Sequence, residues 1–147
     1  MVFTRSLFDP MGRERRSRLL VVEGDGNVQK MIWEELKAEF HQVNFEQSID
    51  GAEELILEDA PFDAILIDLV DPVERRYLLL SLIKQRCPTT EVVFVSQLND
   101  KHLWIEMRQW GASEFLAKPL DRQELRRTVI HALEKATRSS AMRQQGS

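Results

Sequence analysis

The stretch Ala64-Ile65-Leu66-Ile67-Asp68 consists of four apolar residues followed by an acid, and its pattern recurs along the chain. Similar runs are Leu19-Leu20-Val21-Val22 and Val92-Val93-Phe94-Val95. A short apolar run without polar alternation is typical of a parallel strand that is buried on both faces. Weaker strand patterns occur at Val43-Asn44-Phe45 and Glu114-Phe115-Leu116-Ala117. The sequence therefore predicts five strands.

Helical periodicity separates these strand patterns. The first period follows the i, i+3, i+4 spacing of one apolar face and consists of Val28, Met31, Ile32, Leu36 and Phe40. Further helices are predicted from Ala52 to Glu58, from Val73 to Arg86, around Leu103, Met107 and Trp110, and from Leu125 to Ala136. Because crossovers between parallel strands are right-handed, this order predicts an α/β fold. We expect a doubly wound, flavodoxin-like three-layer sandwich with a five-stranded parallel sheet.

Both ends of the chain lack a clear period. We expect a basic N-terminal arm over residues 1–17, one folded domain over residues 18–137 and a flexible tail over residues 138–147. The arm carries Arg5, Arg13, Arg15 and Arg16. A disordered or loosely docked segment is its simplest interpretation. The alternative is a basic contact for a partner or a membrane surface, anchored by Phe3, Leu7 and Phe8.

Composition narrows the class of protein. The 147 residues carry a net charge of −4, which argues against direct nucleic-acid binding by this domain. No segment approaches the ~18 apolar residues of a membrane span. The single cysteine, Cys87, cannot form an internal disulfide, and this favours a reducing compartment. We expect a cytoplasmic protein without a membrane segment.

Polar residues follow four of the five predicted strands. The first strand is followed by Glu23-Gly24-Asp25, and Asp68 and Ser96 end the third and fourth strands. The fifth strand leads to Lys118-Pro119. Ligands of open α/β sheets bind outside the carboxyl ends of the strands, so these side chains are predicted to share one rim.

This set of groups is chemically consistent with phosphoryl transfer. A carboxylate can attack phosphorus and become an aspartyl phosphate. Such a transfer calls for Mg²⁺ held by oxygen ligands. It also calls for a lysine and a hydrogen-bond donor at the phosphoryl oxygens. Asp68, Lys118 and Ser96 match these requirements.

From Arg18 to about Lys135 the chain resembles the receiver domains of two-component response regulators, the CheY-like family. The matching segments are Leu19 to Glu23, Phe62 to Asp68 with Pro72 beyond it, Val92 to Ser96, and Trp110 to Pro119. The segments occur in the family's order and at its spacing.

The resemblance implies a role for each residue at the rim. It makes Asp68 the phosphoacceptor and Lys118 the phosphate-binding lysine. It makes Ser96 and Phe115 the hydroxyl and the aromatic ring of a conformational switch. The implied ligands of Mg²⁺ are the Glu23 and Asp68 carboxylates and the Val70 backbone carbonyl, with Asp25 as a further candidate. It also implies a cis Lys118-Pro119 peptide bond.

The sequence departs from the family beside this site. Gly24 stands where the family has its second metal-binding acid, so weakened Mg²⁺ binding is expected. Asp71 replaces the usual methionine and could restore negative charge, and Arg76 replaces a usual glycine. The alternative to a phosphorylated receiver is therefore a pseudo-receiver, an interaction module that works without phosphorylation.

The implied partners are a histidine kinase or phosphotransfer protein and a downstream protein target. A homodimer through the fourth helix, fifth strand and fifth helix is common in the family and stays open here. We expect a signalling domain and not an enzyme, with at most slow self-catalysed phosphotransfer and dephosphorylation. Aspartyl-nucleophile phosphatases need a second aspartate two residues after the first, and that position is Val70.

Overall fold

The structure, a computed structural model, describes residues 1–70, 73–97 and 100–145. Their strands and helices follow in this order: β1 Val2–Thr4, β2 Leu7–Phe8, β3 Glu14–Arg15, β4 Arg18–Val22, α1 Gly26–Leu36, β5 Gln42–Glu46, α2 Ile49–Asp59, β6 Ala64–Asp68, α3 Val73–Arg86, β7 Glu91–Ser96, α4 Lys101–Gln109, β8 Glu114–Ala117 and α5 Arg122–Gln145. The five predicted strands and the five predicted helices are confirmed. None of the helices in this described part is both long enough and apolar enough to cross a membrane.

The main sheet has the strand order β1-β5-β4-β6-β7-β8. Strands β5, β4, β6, β7 and β8 are parallel, as predicted. The chain runs from β4 outward to β5 and then returns to place β6 on the other side of β4. The strand order therefore reverses between β4 and β6, and a ligand crevice is expected at the carboxyl ends of these two strands.

Alternating side chains of the strands form two apolar layers. Leu19 and Val21 of β4 pack with α1 and α5 on one face of the sheet. Leu20 and Val22 pack with α2, α3 and α4 on the other face. Successive residues of a strand point to opposite faces, so a strand covered on both sides must be apolar throughout. This explains the continuous apolar runs in the sequence.

The N-terminal segment differs from the expected loose arm. Strand β1 pairs antiparallel with β5 and makes the sheet six-stranded, while β2 and β3 form a small hairpin of their own. Phe3 packs against Trp33 and Phe45, with ring centroids 4.4 and 5.9 Å away. The strand has three residues, too few for a period-2 pattern to emerge, and it is stabilised by a sheet edge that lies 40 residues further along the chain.

The C-terminal segment also differs from the expected tail. Helix α5 continues to Gln145, so residues 138–145 are helical. Apolar periodicity stops at Ala136, and from residue 137 to residue 142 most side chains are exposed, Met142 among them. Arginine, alanine, methionine and glutamine favour helix without tertiary contacts. Gly146 and Ser147 lie outside the described residues.

Packing of Phe3 predicts a contribution of β1 to stability. Phe3→Ala is expected to lower the free energy of unfolding by about 2 kcal/mol, less than for a fully buried phenylalanine because Phe3 is half-buried. Urea unfolding measures the change. Phe8→Ala is the matched control, since Phe8 is 63% exposed, and its effect should stay within about 0.5 kcal/mol. Equal effects of the two substitutions would show that β1 is not docked.

Candidate functional site

Three charged side chains meet at the carboxyl ends of β4, β6 and β8. The Lys118 Nζ lies 2.8 Å from Glu23 Oε1 and 3.1 Å from Asp68 Oδ1. Glu23, Asp68 and Lys118 each come two residues after a buried apolar residue, namely Val21, Leu66 and Leu116. These apolar residues lie on the face of the sheet that packs with α1 and α5. Because side chains alternate along a strand, the three charged side chains continue on the same face. They line a cleft of about 380 Å³. The predicted convergence is therefore present for Glu23, Asp68 and Lys118, whereas Ser96, which was expected to join them, is not among the residues that line the cleft.

Burial and pairing set the electrostatics of this cluster. Glu23 is 4% exposed, and burial raises the pKa of its carboxyl despite the hydrogen bond from Lys118 and the backbone N–H of Asp25. Burial lowers the pKa of Lys118, but the hydrogen bond to Glu23 and the charge of Asp68 outweigh it, so the pKa of Lys118 lies above its ordinary value. Lys118 is thus held as a cation between two carboxylates.

The contact between Lys118 and Asp68 is an ion pair without the geometry of a hydrogen bond. Asp68 Oδ1 is buried and has no hydrogen-bond donor among the described residues, although the ammonium lies close to it. The carboxylate is held by charge more than by directed donors. A carboxylate of this kind can act as a nucleophile toward phosphorus once a phosphoryl donor reaches it.

Ser96 and Phe115 lie on the other face of the sheet, toward α4. Ser96 ends β7 and is buried, and its carbonyl accepts a hydrogen bond from the Lys118 backbone N–H at 2.9 Å. Phe115 of β8 stacks between Phe94, with ring centroids 6.0 Å apart, and Trp104 of α4, at 5.3 Å. Ser96 is therefore connected to Lys118 by a backbone hydrogen bond, and Phe115 precedes Lys118 by three residues.

The Lys118–Pro119 peptide bond is cis, as the resemblance implied. The cis bond directly follows β8 and precedes α5, which begins at Arg122. Asp121 accepts a hydrogen bond from the Glu124 backbone N–H at the start of that helix. The loop that carries Lys118 is therefore held at both ends.

The Asp25 carboxylate is bonded to the backbone of helix α1. Its Oδ1 accepts hydrogen bonds from the backbone N–H groups of Asn27, at 2.8 Å, and Val28, at 3.4 Å, and so caps helix α1. Asp25 still borders the cleft, but its exposed carboxylate is used by the helix end. The cap of α1 therefore competes with the expected role of Asp25 as a metal ligand.

Arg76 is the residue of this site that the sequence prediction missed. It lies on α3, is 8% exposed, lines the cleft and donates from Nε to the Asp68 carbonyl at 3.2 Å. The sequence indicates only that an arginine replaces a usual glycine at this position. A usable signal existed, because Arg76 precedes Leu79 and Leu80 by three and four residues and so belongs to the buried face of α3. Asp71 and Pro72 lie outside the described residues.

These observations test the fit of Mg²⁺ to the cleft. Glu23 and Asp68 are its two facing carboxylates, and Lys118 already neutralises part of their charge. Arg76 adds a second cation, so the two least exposed carboxylates share the cleft with two positive side chains, and the third carboxylate, Asp25, is exposed and caps α1. Within the described ranges no group of three or more acidic, histidine or cysteine side chains is placed to hold a metal. Because Glu23 and Asp68 already lie beside cations, they do not fit a divalent cation.

Comparison with known proteins gives one consistent result. Residues 19–130 match the family model of the response regulator receiver domain. The response regulator protein PilR of Pseudomonas aeruginosa is 28% identical over 118 residues, which are 80% of this chain and 26% of PilR. The response regulator ArlR of Staphylococcus saprophyticus is 28% identical over 109 residues, which are 74% of this chain and 49% of ArlR. The chain thus spans half or less of the length of these two relatives.

A solved structure shows the same fold. The signal receiver domain of a putative LuxO repressor protein from Vibrio parahaemolyticus superposes with a TM-score of 0.78 at 24% sequence identity. The similarity covers 87% of this chain and 98% of that one. The five parallel strands and their helices therefore have the receiver arrangement.

Removal of Lys118 should cost stability in a pH-dependent way. Lys118→Met leaves two buried carboxylates without their cation, and we expect a loss of about 3 kcal/mol in the free energy of unfolding at neutral pH. An unfolded glutamate releases its proton near pH 4.5, whereas the folded variant holds the Glu23 proton to a higher pH. The variant therefore loses stability relative to the wild type as the pH rises from 4.5.

Urea unfolding of both proteins between pH 4 and pH 8 measures this difference. Lys30→Met, which changes an exposed lysine on α1, is the control and should stay within about 0.5 kcal/mol at every pH. A difference between Lys118→Met and wild type that does not change with pH would contradict the ion triplet.

Proposed function

Since the chain belongs to the family of response regulator receiver domains of two-component signalling, we propose that it accepts a phosphoryl group on Asp68 and thereby switches a protein-interaction face. The observation that carries the proposal is the convergence of the Asp68 carboxylate and the Lys118 ammonium in a cleft of about 380 Å³. A nucleophilic oxygen and a cation for the phosphoryl oxygens are both present there.

The phosphoryl step needs a donor with a good leaving group. A lone pair of an Asp68 carboxylate oxygen forms the new bond to phosphorus. The bond from phosphorus to the donor breaks, and the leaving group keeps the electron pair. The donor in the cell is a phosphohistidine of a histidine kinase or phosphotransfer protein, whose imidazole nitrogen leaves. With acetyl phosphate the leaving group is acetate.

Lys118 supports this step by charge. It is already positioned at 3.1 Å from Asp68 and is held there by Glu23, so little reorganisation is needed when the phosphoryl oxygens arrive. Receiver domains in general bind Mg²⁺ at this place, where the metal neutralises phosphoryl oxygens. In this chain Glu23, Asp68 and the Val70 carbonyl are the residues that match the family's ligands. No step of the proposal depends on the metal.

The switch uses the contacts on the α4 side of the sheet. The Ser96 hydroxyl turns toward the phosphoryl oxygens as a hydrogen-bond donor, and Phe115 then repacks between Phe94 and Trp104. Trp104 and the 59% exposed Ile105 belong to α4, so a change at Phe115 reaches the surface of α4, β8 and α5. The phosphorylated state shifts the population between two packings, because the phosphate makes contacts in only one of them.

This surface is also the proposed contact for partners. A downstream protein target or a second copy of the chain would bind across α4, β8 and α5. We place this signalling in the cytoplasm, where a reducing environment keeps the buried Cys87 thiol unpaired. The domain acts as a signalling element and not as a turnover enzyme, because Val70 stands where a phosphatase needs its second aspartate.

A second candidate is the pseudo-receiver, and two observations favour it. Gly24 offers no carboxylate, and Asp25 is occupied as the cap of α1. In this case the Glu23–Lys118–Asp68 triplet is a permanent structural element, and the α4, β8 and α5 surface binds its partner without phosphorylation. Phosphoryl transfer to Asp68 distinguishes the two candidates.

Incubation with acetyl phosphate tests the proposed acceptor. Wild type is expected to gain the mass of one phosphoryl group, and Asp68→Asn none, because the amide is not a nucleophile toward phosphorus. Intact-protein mass spectrometry at neutral pH makes the measurement. Asp50→Asn is the matched control, since Asp50 is an exposed acid that pairs with Arg75 outside the cleft, and it should be labelled like wild type. No added mass on wild type would favour the pseudo-receiver.

The aromatic stack provides a readout for the switch. In a background with Trp33→Phe and Trp110→Phe, Trp104 is the sole fluorophore of its type and lies 5.3 Å from Phe115. Addition of beryllofluoride, a phosphoryl mimic, is expected to change its emission because Phe115 repacks. Ser96→Ala should remove most of the change, whereas Ser96→Thr, which keeps the hydroxyl, should retain it. An unaltered response in Ser96→Ala would contradict the role of the hydroxyl.

A further inference from the structure

We propose that Arg76 takes the place of the divalent cation in this cleft. The carboxylates, and a phosphoryl group on Asp68, are then neutralised by Lys118 and Arg76 and not by Mg²⁺. This inference deepens the proposed function and rests on it for the phosphoryl ligand. Its statement about the metal stands on the cleft alone.

The position of Arg76 carries the first step. Arg76 lines the same cleft as Glu23, Asp68 and Lys118 although it comes from α3, which packs on the face of the sheet opposite to α1 and α5. Its Nε donates to the Asp68 carbonyl at 3.2 Å, which ties the guanidinium to the residue that carries the phosphoryl group. Only 8% of Arg76 is exposed, and an arginine is rarely buried to that extent without a charged or polar environment to match.

The charge of the cleft carries the second step. The two least exposed carboxylates of the cleft, Glu23 and Asp68, share it with the two cations Lys118 and Arg76, while the third carboxylate, Asp25, is exposed and caps α1. A divalent cation placed between Glu23 and Asp68 would therefore leave a surplus of positive charge beside Lys118 and Arg76. Such a surplus is strongly disfavoured where water screens little. A phosphoryl group, in contrast, adds negative charge that the two cations can meet.

The chemistry of the guanidinium carries the third step. It is planar, stays protonated and presents a fork of N–H donors that matches the oxygens of a phosphoryl group. Lys118 supplies a compact point charge at the neighbouring strand end. Together they provide the positive charge and the directed donors that a bound metal and its waters provide elsewhere.

Gly24 shows that the lost acid is not a requirement of the backbone. A Cβ built on Gly24 would meet only the Gln47 carbonyl at 3.7 Å, which is ordinary contact. The backbone there does not have the positive φ that favours glycine, unlike Gly12 and Gly111. An aspartate would therefore fit. The loss of an acid at position 24 and the gain of a base at position 76 change the charge of one cleft in the same direction.

A metal titration tests the inference without any phosphoryl ligand. Amide NMR spectra of the wild type are expected to show no saturable shift of cleft residues with millimolar Mg²⁺. The double variant Gly24→Asp/Arg76→Ala restores an acid and removes the second cation, so it should show saturable shifts at Asp68 and its neighbours. Gly24→Asp/Arg75→Ala is the matched control, because Arg75 lies outside the cleft and pairs with Asp50 and Glu53. It should bind Mg²⁺ at least tenfold more weakly than the first double variant.

Wild type that binds Mg²⁺ at the cleft as tightly as Gly24→Asp/Arg76→Ala would overturn the inference. So would equal affinities of the two double variants. Thermal melting of each variant verifies that it is folded under the conditions of the titration.

Binding of beryllofluoride, followed by ¹⁹F NMR, tests the phosphoryl part. Wild type should bind it equally with and without added Mg²⁺. Arg76→Ala should bind at least tenfold more weakly in the absence of Mg²⁺, and Arg76→Lys should recover part of that loss, which a purely structural role of the arginine would not predict. Binding by wild type only in the presence of Mg²⁺ would overturn the inference. Binding under neither condition contradicts the phosphoacceptor of the proposed function, while the metal titration still decides the role of Arg76.

Discussion

The Lys118 ammonium, held between two carboxylates at 2.8 and 3.1 Å, is the interaction on which the rest of the site depends. Its partners, Glu23 and Asp68, come from the ends of β4 and β6. These strands are not consecutive in the chain, and neither is next to β8 in the sheet. The side chains meet because parallel strands end at one edge of the sheet. In addition, alternation along each strand directs these side chains to the same face of the sheet, the one covered by α1 and α5. The fold thereby brings like charges together, and the cation between them makes this arrangement tolerable. Burial raises the pKa of Glu23, and the hydrogen bond from Lys118 works against that rise. The two carboxylates in turn raise the pKa of Lys118. Each charged form is therefore stabilised by the other.

The same cleft shows how one family fold can carry a different charge balance. Family members place acids where this chain has Gly24, and a glycine where it has Arg76. With both positions changed, two cationic side chains face two carboxylates. Asp25, the remaining acid of that loop, caps α1 and contributes to helix stability there. Positive charge still lies beside Asp68, and its source is the protein's own Lys118 and Arg76.

The aromatic stack links this cleft to the surface through packing alone. Phe94, Phe115 and Trp104 lie in nearly parallel planes from the sheet to α4. Phe115 on β8 precedes Lys118 by three residues, and Ser96 ends the neighbouring strand β7. A close-packed stack has few alternative arrangements, and a discrete change between two of them is what the proposed switch requires.

The sequence by itself determined the five parallel strands and the helices between them, because continuous apolar runs and helical periods are consequences of burial on both faces of a sheet. It also placed Glu23, Asp68, Ser96 and Lys118 at strand ends, where chain direction alone puts them on one rim. Two features were decided only by tertiary structure. Strand β1 forms because the edge of β5 is available to it. The helical period places Arg76 on the buried face of α3, but only the packing of that helix on the sheet brings its guanidinium to the Asp68 carbonyl.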